Sequence, residues 1–133
     1  MSMSSTIPQQ YSSVVVGGGP AGLLSAIMLA QKFPSQKICV YDRLSAPPNP
    51  NDESVWSDVG KHYLIGLGHR GQRALKQFGV WDEVEAVSAP IRGRKDWAPG
   101  ATKVEEGVER LANDKPVTTM VLPRNKFVGV LYE

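Results

Sequence analysis

The 133-residue sequence predicts an α/β fold with a parallel sheet, and three observations carry that expectation. Val14-Val15-Val16 is a β-branched run ending in glycines, Ala21 to Phe33 carries apolar residues at helical spacing, and Ile38-Cys39-Val40-Tyr41 is a second apolar run. Strand, Gly-rich turn, helix and strand within about thirty residues make one βαβ unit, and such crossovers are right-handed and parallel in nearly all proteins.

The elements follow in order. Residues 1–10 are Ser- and Gln-rich with no Lys or Arg and read as a frayed lead-in, so the folded domain is expected over 11–133. The Val14 run has the character of a strand buried on both faces. Pro20 suits the first turn of a helix that keeps Leu23, Leu24, Ile27, Met28 and Ala30 in phase and ends at Pro34. Ser45 to Asn51 (SAPPNPN) is a short Pro/Asn loop. Gly68 to Gly79 reads as a helix with Ala74, Leu75 and Phe78 on one face and Gly79 as its stop. Val80 to Val84 reads as a half-turn or short helix, whereas Val104 to Leu111 leaves helix and hairpin open, because Gly107 interrupts an otherwise helical spacing. Val117 to Leu122 reads as a strand and Arg124 to Tyr132 as the start of a helix.

Composition narrows the class. A chain of this length has room for about one domain with one core. With 41% hydrophobic and 21% charged residues it lies in the ordinary globular range, which excludes a disordered tail or a disulfide-stapled scaffold. The longest apolar run, Leu23 to Ala30, is broken by Ser25 and far shorter than the ~20 residues needed to span a bilayer. A formal net charge of +2 is too small to point to nucleic acid, although Arg92, Arg94 and Lys95 cluster locally. The lone Cys39 implies no oxidising compartment and reads as a small buried hydrophobe. Neither a secretory signal nor a transit peptide is recognisable at the start, so the expected localisation is cytoplasmic. His62 and His69 have no acid at ligand spacing, so no metal site is expected.

The strongest chemical signal is Gly17-Gly18-Gly19-Pro20-Ala21-Gly22, a G-x-G-x-x-G string at the junction of strand and helix. Gly17 permits the tight turn, Gly19 lets backbone approach a pyrophosphate, and Gly22 lets helix and strand pack closely. The free N–H groups and dipole of the helix start attract the anion. Asp42 follows at the end of the second strand, where its carboxylate is placed to hydrogen-bond a ribose hydroxyl and would repel a 2′-phosphate. FAD or NAD is therefore favoured over NADP at this turn.

The run from Val14 to Ala26, with Val40-Tyr41-Asp42-Arg43, resembles the N-terminus of the class A FAD-dependent aromatic hydroxylases. Gly60 to Val80 (GKHYLIGLGHRGQRALKQFGV) is similar to the kynurenine 3-monooxygenase branch, and Ala89 to Arg94 and Pro123 to Phe127 continue in the same order. The resemblance implies a Rossmann-like FAD-binding fold of the glutathione-reductase type, incomplete at the C-terminus. It implies that Gly17, Gly19, Gly22 and Asp42 hold the ADP half of FAD, with Arg43 beside it and Arg124 leaning on the cofactor from the start of a later helix. Lys61 takes the place of a family arginine near the pyrophosphate, supplying charge without the bidentate fork. Arg94 matches the arginine that receives the substrate carboxylate.

The family reduces its flavin transiently with NADPH and hydroxylates a small aromatic substrate with dioxygen in a site shielded from water. It also carries an Asp-Gly and a Gly-Asp motif on the pyrophosphate and ribityl side, and neither dipeptide occurs here. The chain is therefore expected to be an N-terminal piece, not catalytically competent alone, whose uncovered sheet favours self-association. Two alternatives stand beside the monooxygenase reading: a non-catalytic nucleotide-binding remnant or partner module, and a fragment of an NAD-binding dehydrogenase.

Overall fold

The computed structural model describes residues 11–52, 63–111 and 117–133. Strand β1 (Ser13–Val16), helix α1 (Pro20–Lys32) and strand β2 (Ile38–Tyr41) form the expected crossover, with β1 and β2 parallel and in register from Ser13↔Ile38 to Val16↔Tyr41. The turn between β1 and α1 depends on two glycines. Gly17 has φ +104°, a conformation that side chains of L-residues resist, and a Cβ at Gly22 would run into the Gly17 carbonyl oxygen. Such a Cβ would also sit 3.4 Å from Val15 Cγ1, so α1 lies on the face of the sheet that Val15 occupies.

Parallel pairing is confined to this unit among the described residues. Strand β3 (Leu64–Leu67) leads into helices α2 (His69–Gln77) and α3 (Trp81–Ala86), followed by the short strand β4 (Ala89–Pro90). Strand β7 (Met120–Pro123) lies between β3 and β4 and is antiparallel to both. Strands β5 (Gly93–Asp96) and β6 (Val108–Leu111) form a separate antiparallel ribbon. Helix α4 (Arg124–Tyr132) follows β7 directly and runs for nine residues.

The sequence left Val104 to Leu111 open between helix and hairpin; one 3₁₀ turn at Val104–Glu106 precedes strand β6. Gly107 is required between them, since a Cβ there would meet Lys95 and Trp97 side-chain atoms at 2.7 Å. The expected strand over 117–122 is seated slightly later, at Met120–Pro123.

The core gathers around α4. Phe127, Val128 and Leu131 pack with Leu23 of α1, Leu75 of α2, Trp81 and Val84 of α3, and Leu122 of β7. Leu122 is 1% exposed, so its burial contributes about 1.5–3 kcal/mol. The buried Gln72 Nε2 donates to the carbonyls of Leu67 at 2.9 Å and Thr118 at 2.7 Å, which clamps the end of β3 to the segment entering β7. Both carbonyls are thereby satisfied beside the core.

Two expectations about β1 and β2 are corrected. Val14 and Val16 are 52% and 86% exposed, so β1 is covered on one face only: α1 lies over Val15, and no second layer among the described residues lies over Val14 and Val16. Cys39, in register with Val14, is accordingly half-buried instead of buried.

Candidate functional site

The glycine turn, the end of β2 and the start of α4 converge on one cavity of about 460 Å³. Gly17 N–H donates to the Tyr41 carbonyl at 2.7 Å, which carries the β1–β2 ladder one residue into the turn and brings Gly18 beside Asp42. Asp42 Oδ2 accepts from Gly18 N–H at 2.6 Å, and Oδ1 accepts from Leu44 N–H at 2.8 Å. Its pKa is lowered chiefly by the Leu44 N–H and then by the Gly18 N–H, with smaller help from the positive charges of Arg43 and Arg124. The carboxylate is thus held ionised, oriented and close to solvent. Each oxygen spends one acceptor position on the backbone and keeps another for an incoming hydroxyl.

Arg124 reaches the same place by a different route. Pro123 ends β7 and starts α4, and Arg124 N–H donates to the Tyr63 carbonyl at 3.0 Å, extending the β3–β7 pairing to the first helical residue. Its side chain then spans back to the turn: a Cβ at Gly19 would lie 3.1 Å from Arg124 Nη2. Arg124 Nη1 donates to Asn125 Oδ1 at 3.0 Å, which steadies the guanidinium.

Tyr41, Leu44, Pro47, Pro48, Val128 and Tyr132 add an apolar wall to the polar groups. The proline loop is held there by α4, because a Cβ at Gly129 would lie 2.9 Å from the Pro48 carbonyl oxygen. A cationic guanidinium, a glycine turn, an ionised acceptor and an apolar wall suit a molecule that is anionic in one part, bears hydroxyls in another and has an apolar end.

The structure therefore brings Asp42 and Arg124 to the cavity lining, while Gly17, Gly19 and Gly22 lie outside that lining: Gly17 and Gly22 shape the turn, and Gly19 lies beside Arg124. Arg43 is exposed and outside the cavity lining, acting on Asp42 through its charge. Arg94 lies on the β5–β6 ribbon, not on the cavity lining, where its Nε donates to Asp96 Oδ2 at 3.1 Å. Lys61 lies outside the described residues.

Sequence reasoning missed Gly18 and the SAPPNPN loop as parts of the site. The string motif treats the second glycine as a spacer, and the loop's prolines signal only irregular backbone. A proline-rich stretch directly after the strand-end acid was the available signal. Among the described residues no group of His, Cys, Asp or Glu side chains could hold a metal ion, and no helix is long and apolar enough to cross a membrane.

No family model matches the chain. It is 38% identical over 80 residues to a kynurenine 3-monooxygenase of Stenotrophomonas maltophilia, an alignment that covers 60% of this chain and 16% of the relative. It is 27% identical over 118 residues to the flavin-dependent oxygenase ucdD of Aspergillus ustus, covering 85% of this chain and 16% of the relative. The chain thus spans about 16% of the length of these curated relatives.

Among solved structures, 2-methyl-3-hydroxypyridine-5-carboxylic acid oxygenase superposes with a TM-score of 0.64 at 21% identity, over 92% of this chain and 28% of that one. The flavin-dependent monooxygenase PieE, solved in complex with FAD and substrate, gives 0.62 at 19% identity over 93% of this chain and 21% of that one. In sequence and in fold, the chain resembles one segment of the FAD-dependent aromatic monooxygenases, and in sequence it is kynurenine 3-monooxygenase-like.

Proposed function

We propose that the chain is the Rossmann-like, FAD-binding segment of a flavoprotein monooxygenase that hydroxylates a kynurenine-like aromatic substrate with NADPH and dioxygen. The observation that carries this reading is the convergence of Gly18 of the glycine turn, Asp42 and Arg124 on one cavity, with Arg124 also reaching Gly19.

The residues fit the ADP half of FAD. Gly18 of the turn lines the cavity, and the start of α1 offers N–H groups and a positive dipole end to a pyrophosphate. Arg124, beside Gly19, adds a positive charge for the same anion. Asp42 accepts from the ribose hydroxyls and, being ionised, disfavours a phosphorylated ribose. Leu44 and the Pro47-Pro48 corner offer an apolar surface to the adenine. Arg43 adds positive charge beside Asp42, the resemblance gives Lys61 a part at the pyrophosphate, and Arg94 receives the substrate carboxylate.

When bound, FAD supplies the redox chemistry: it accepts a hydride from NADPH and activates dioxygen for transfer to an electron-rich ring. This chain's residues bind and orient the adenosine end and fix where the rest of the cofactor projects. Equilibrium dialysis of the purified chain against FAD, NAD and NADP tests the reading. FAD is expected to bind tightest, and tighter binding of NADP than of FAD would contradict it.

A further inference from the structure

On the β5–β6 ribbon Arg94 and Arg110 are direct cross-strand partners, and two cations facing each other destabilise a ribbon unless an anion lies between them. Asp96 provides that anion: one oxygen, Oδ2, accepts from Arg94 Nε at 3.1 Å and from Arg110 Nε at 2.9 Å. The other carboxylate of the ribbon does not share the task. Glu109 pairs in register with Lys95, its Oε1 3.8 Å from Lys95 Nζ, and strand alternation puts that pair on the opposite face. The arginine face therefore carries two guanidiniums and one carboxylate, an excess of one positive charge.

That face also has an apolar component. Val108 is in register with Asp96 and thus lies on the same face as Arg110, with 61% of its surface exposed. Two forked cations beside an exposed aliphatic side chain match a carboxylate attached to an apolar or aromatic body.

We propose that Arg94 and Arg110 together bind the carboxylate of a small apolar or aromatic acid, and that Asp96 is the site's internal occupant, displaced when the ligand arrives. This deepens the reading of Arg94 as the carboxylate-receiving residue and rests on it. It adds Arg110 as a second ligand and Asp96 as the group that tunes affinity. The Asp96 side chain is 41% exposed and those of the arginines 71% and 64%, so exchange of one carboxylate for another needs no unfolding of the ribbon. The incoming carboxylate has two oxygens to offer where Asp96 uses one.

The test is a titration of the full ¹⁵N-labelled chain with benzoate, following the arginine Nε–H resonances, with benzamide as the uncharged control. The Arg94 and Arg110 resonances are expected to move together along one saturation curve with benzoate and to stay fixed with benzamide. Asp96→Asn should tighten benzoate by up to about five-fold, the scale of an exposed ion pair released from competition. Asp82→Asn, the same change of charge on α3, should leave the affinity unchanged, and Arg110→Gln should weaken it.

Movement of Arg94 without Arg110 would overturn the paired site while leaving the Arg94 assignment standing. Movement of neither would overturn both, while FAD binding in dialysis would still support the cofactor reading. Equal tightening by Asp96→Asn and Asp82→Asn would reduce the effect to net charge and overturn the role of Asp96. Should Asp96→Asn unfold the ribbon, the wild-type titration alone decides whether the two arginines act together.

Discussion

In the proposed function Asp42 joins fold to ligand, because the carboxylate oxygens that accept from Gly18 and Leu44 N–H are also the ones offered to the ribose. Its pKa is lowered by the Leu44 and Gly18 N–H groups, so it binds its proton less readily folded than unfolded. The stability it contributes is present above the ordinary aspartate value of about 4 and is lost as pH falls through the folded value. Asp42→Asn replaces one acceptor oxygen by an NH₂ that would face a backbone N–H. We expect the variant to lose about ten-fold or more in FAD affinity, on the scale of a hydrogen bond to a charged group. Its acid unfolding should also show a shallower dependence on pH than the parent; equal FAD affinity in parent and variant would remove Asp42 from the site. Arg124→Ala should lower FAD affinity as well, by removing the cation beside Gly19, whereas Arg94→Ala should leave it unchanged. Dialysis of the two variants side by side separates the roles, and equal loss in both would show that they are wrongly divided. At this scale the sequence was readable where contacts are local. Gly17, Gly22 and Asp42 belong to one crossover whose spacing is visible in the chain. The approach of Arg124 to Gly19 crosses about a hundred residues of sequence and depends on β7 pairing with β3, for which spacing carries no signal; only the family resemblance indicated it.

At the scale of elements, helix α4 is the hinge between core and site. Its inner residues Phe127, Val128 and Leu131 fill the core, Gly129 seats the proline loop, and Arg124 and Asn125 face the cavity. Loosening its bed should therefore reach the ligand. Leu122→Ala, at a 1% exposed position below α4, is expected to cost about 2–5 kcal/mol, read as a lower urea midpoint. Gly22→Ala should be severe for another reason, since its Cβ meets the Gly17 carbonyl oxygen and α1 could not start where it does. A variant with unchanged midpoint and unchanged FAD binding would contradict that packing. Helices α1, α2 and α3 and the βαβ unit were legible because periodicity and Gly/Pro punctuation are local properties. Strand direction was not. Whether β3 and β7 run parallel or antiparallel depends on where distant segments meet, and the short apolar runs at 64–67 and 120–123 read the same in either sense.

For the whole molecule, one face of β1 and β2 is exposed among the described residues. Parallel strands are ordinarily covered on both faces, yet Val14, Val16 and Tyr41 are exposed together. We expect concentration-dependent self-association in sedimentation velocity, reduced by Val16→Lys; a chain that stays monomeric at all concentrations would contradict this. The cavity makes a separate demand, because its polar groups suit an adenosine diphosphate and nothing in its lining is specific for a flavin ring. Competition against bound FAD therefore tests the central claim most directly. ADP should displace FAD from the chain in a single-site manner while FMN, which carries the flavin without the adenosine, leaves it bound. Displacement by FMN with no effect of ADP would contradict the assignment of the Gly17–Gly22 turn, Asp42 and Arg124 to the ADP half of the cofactor.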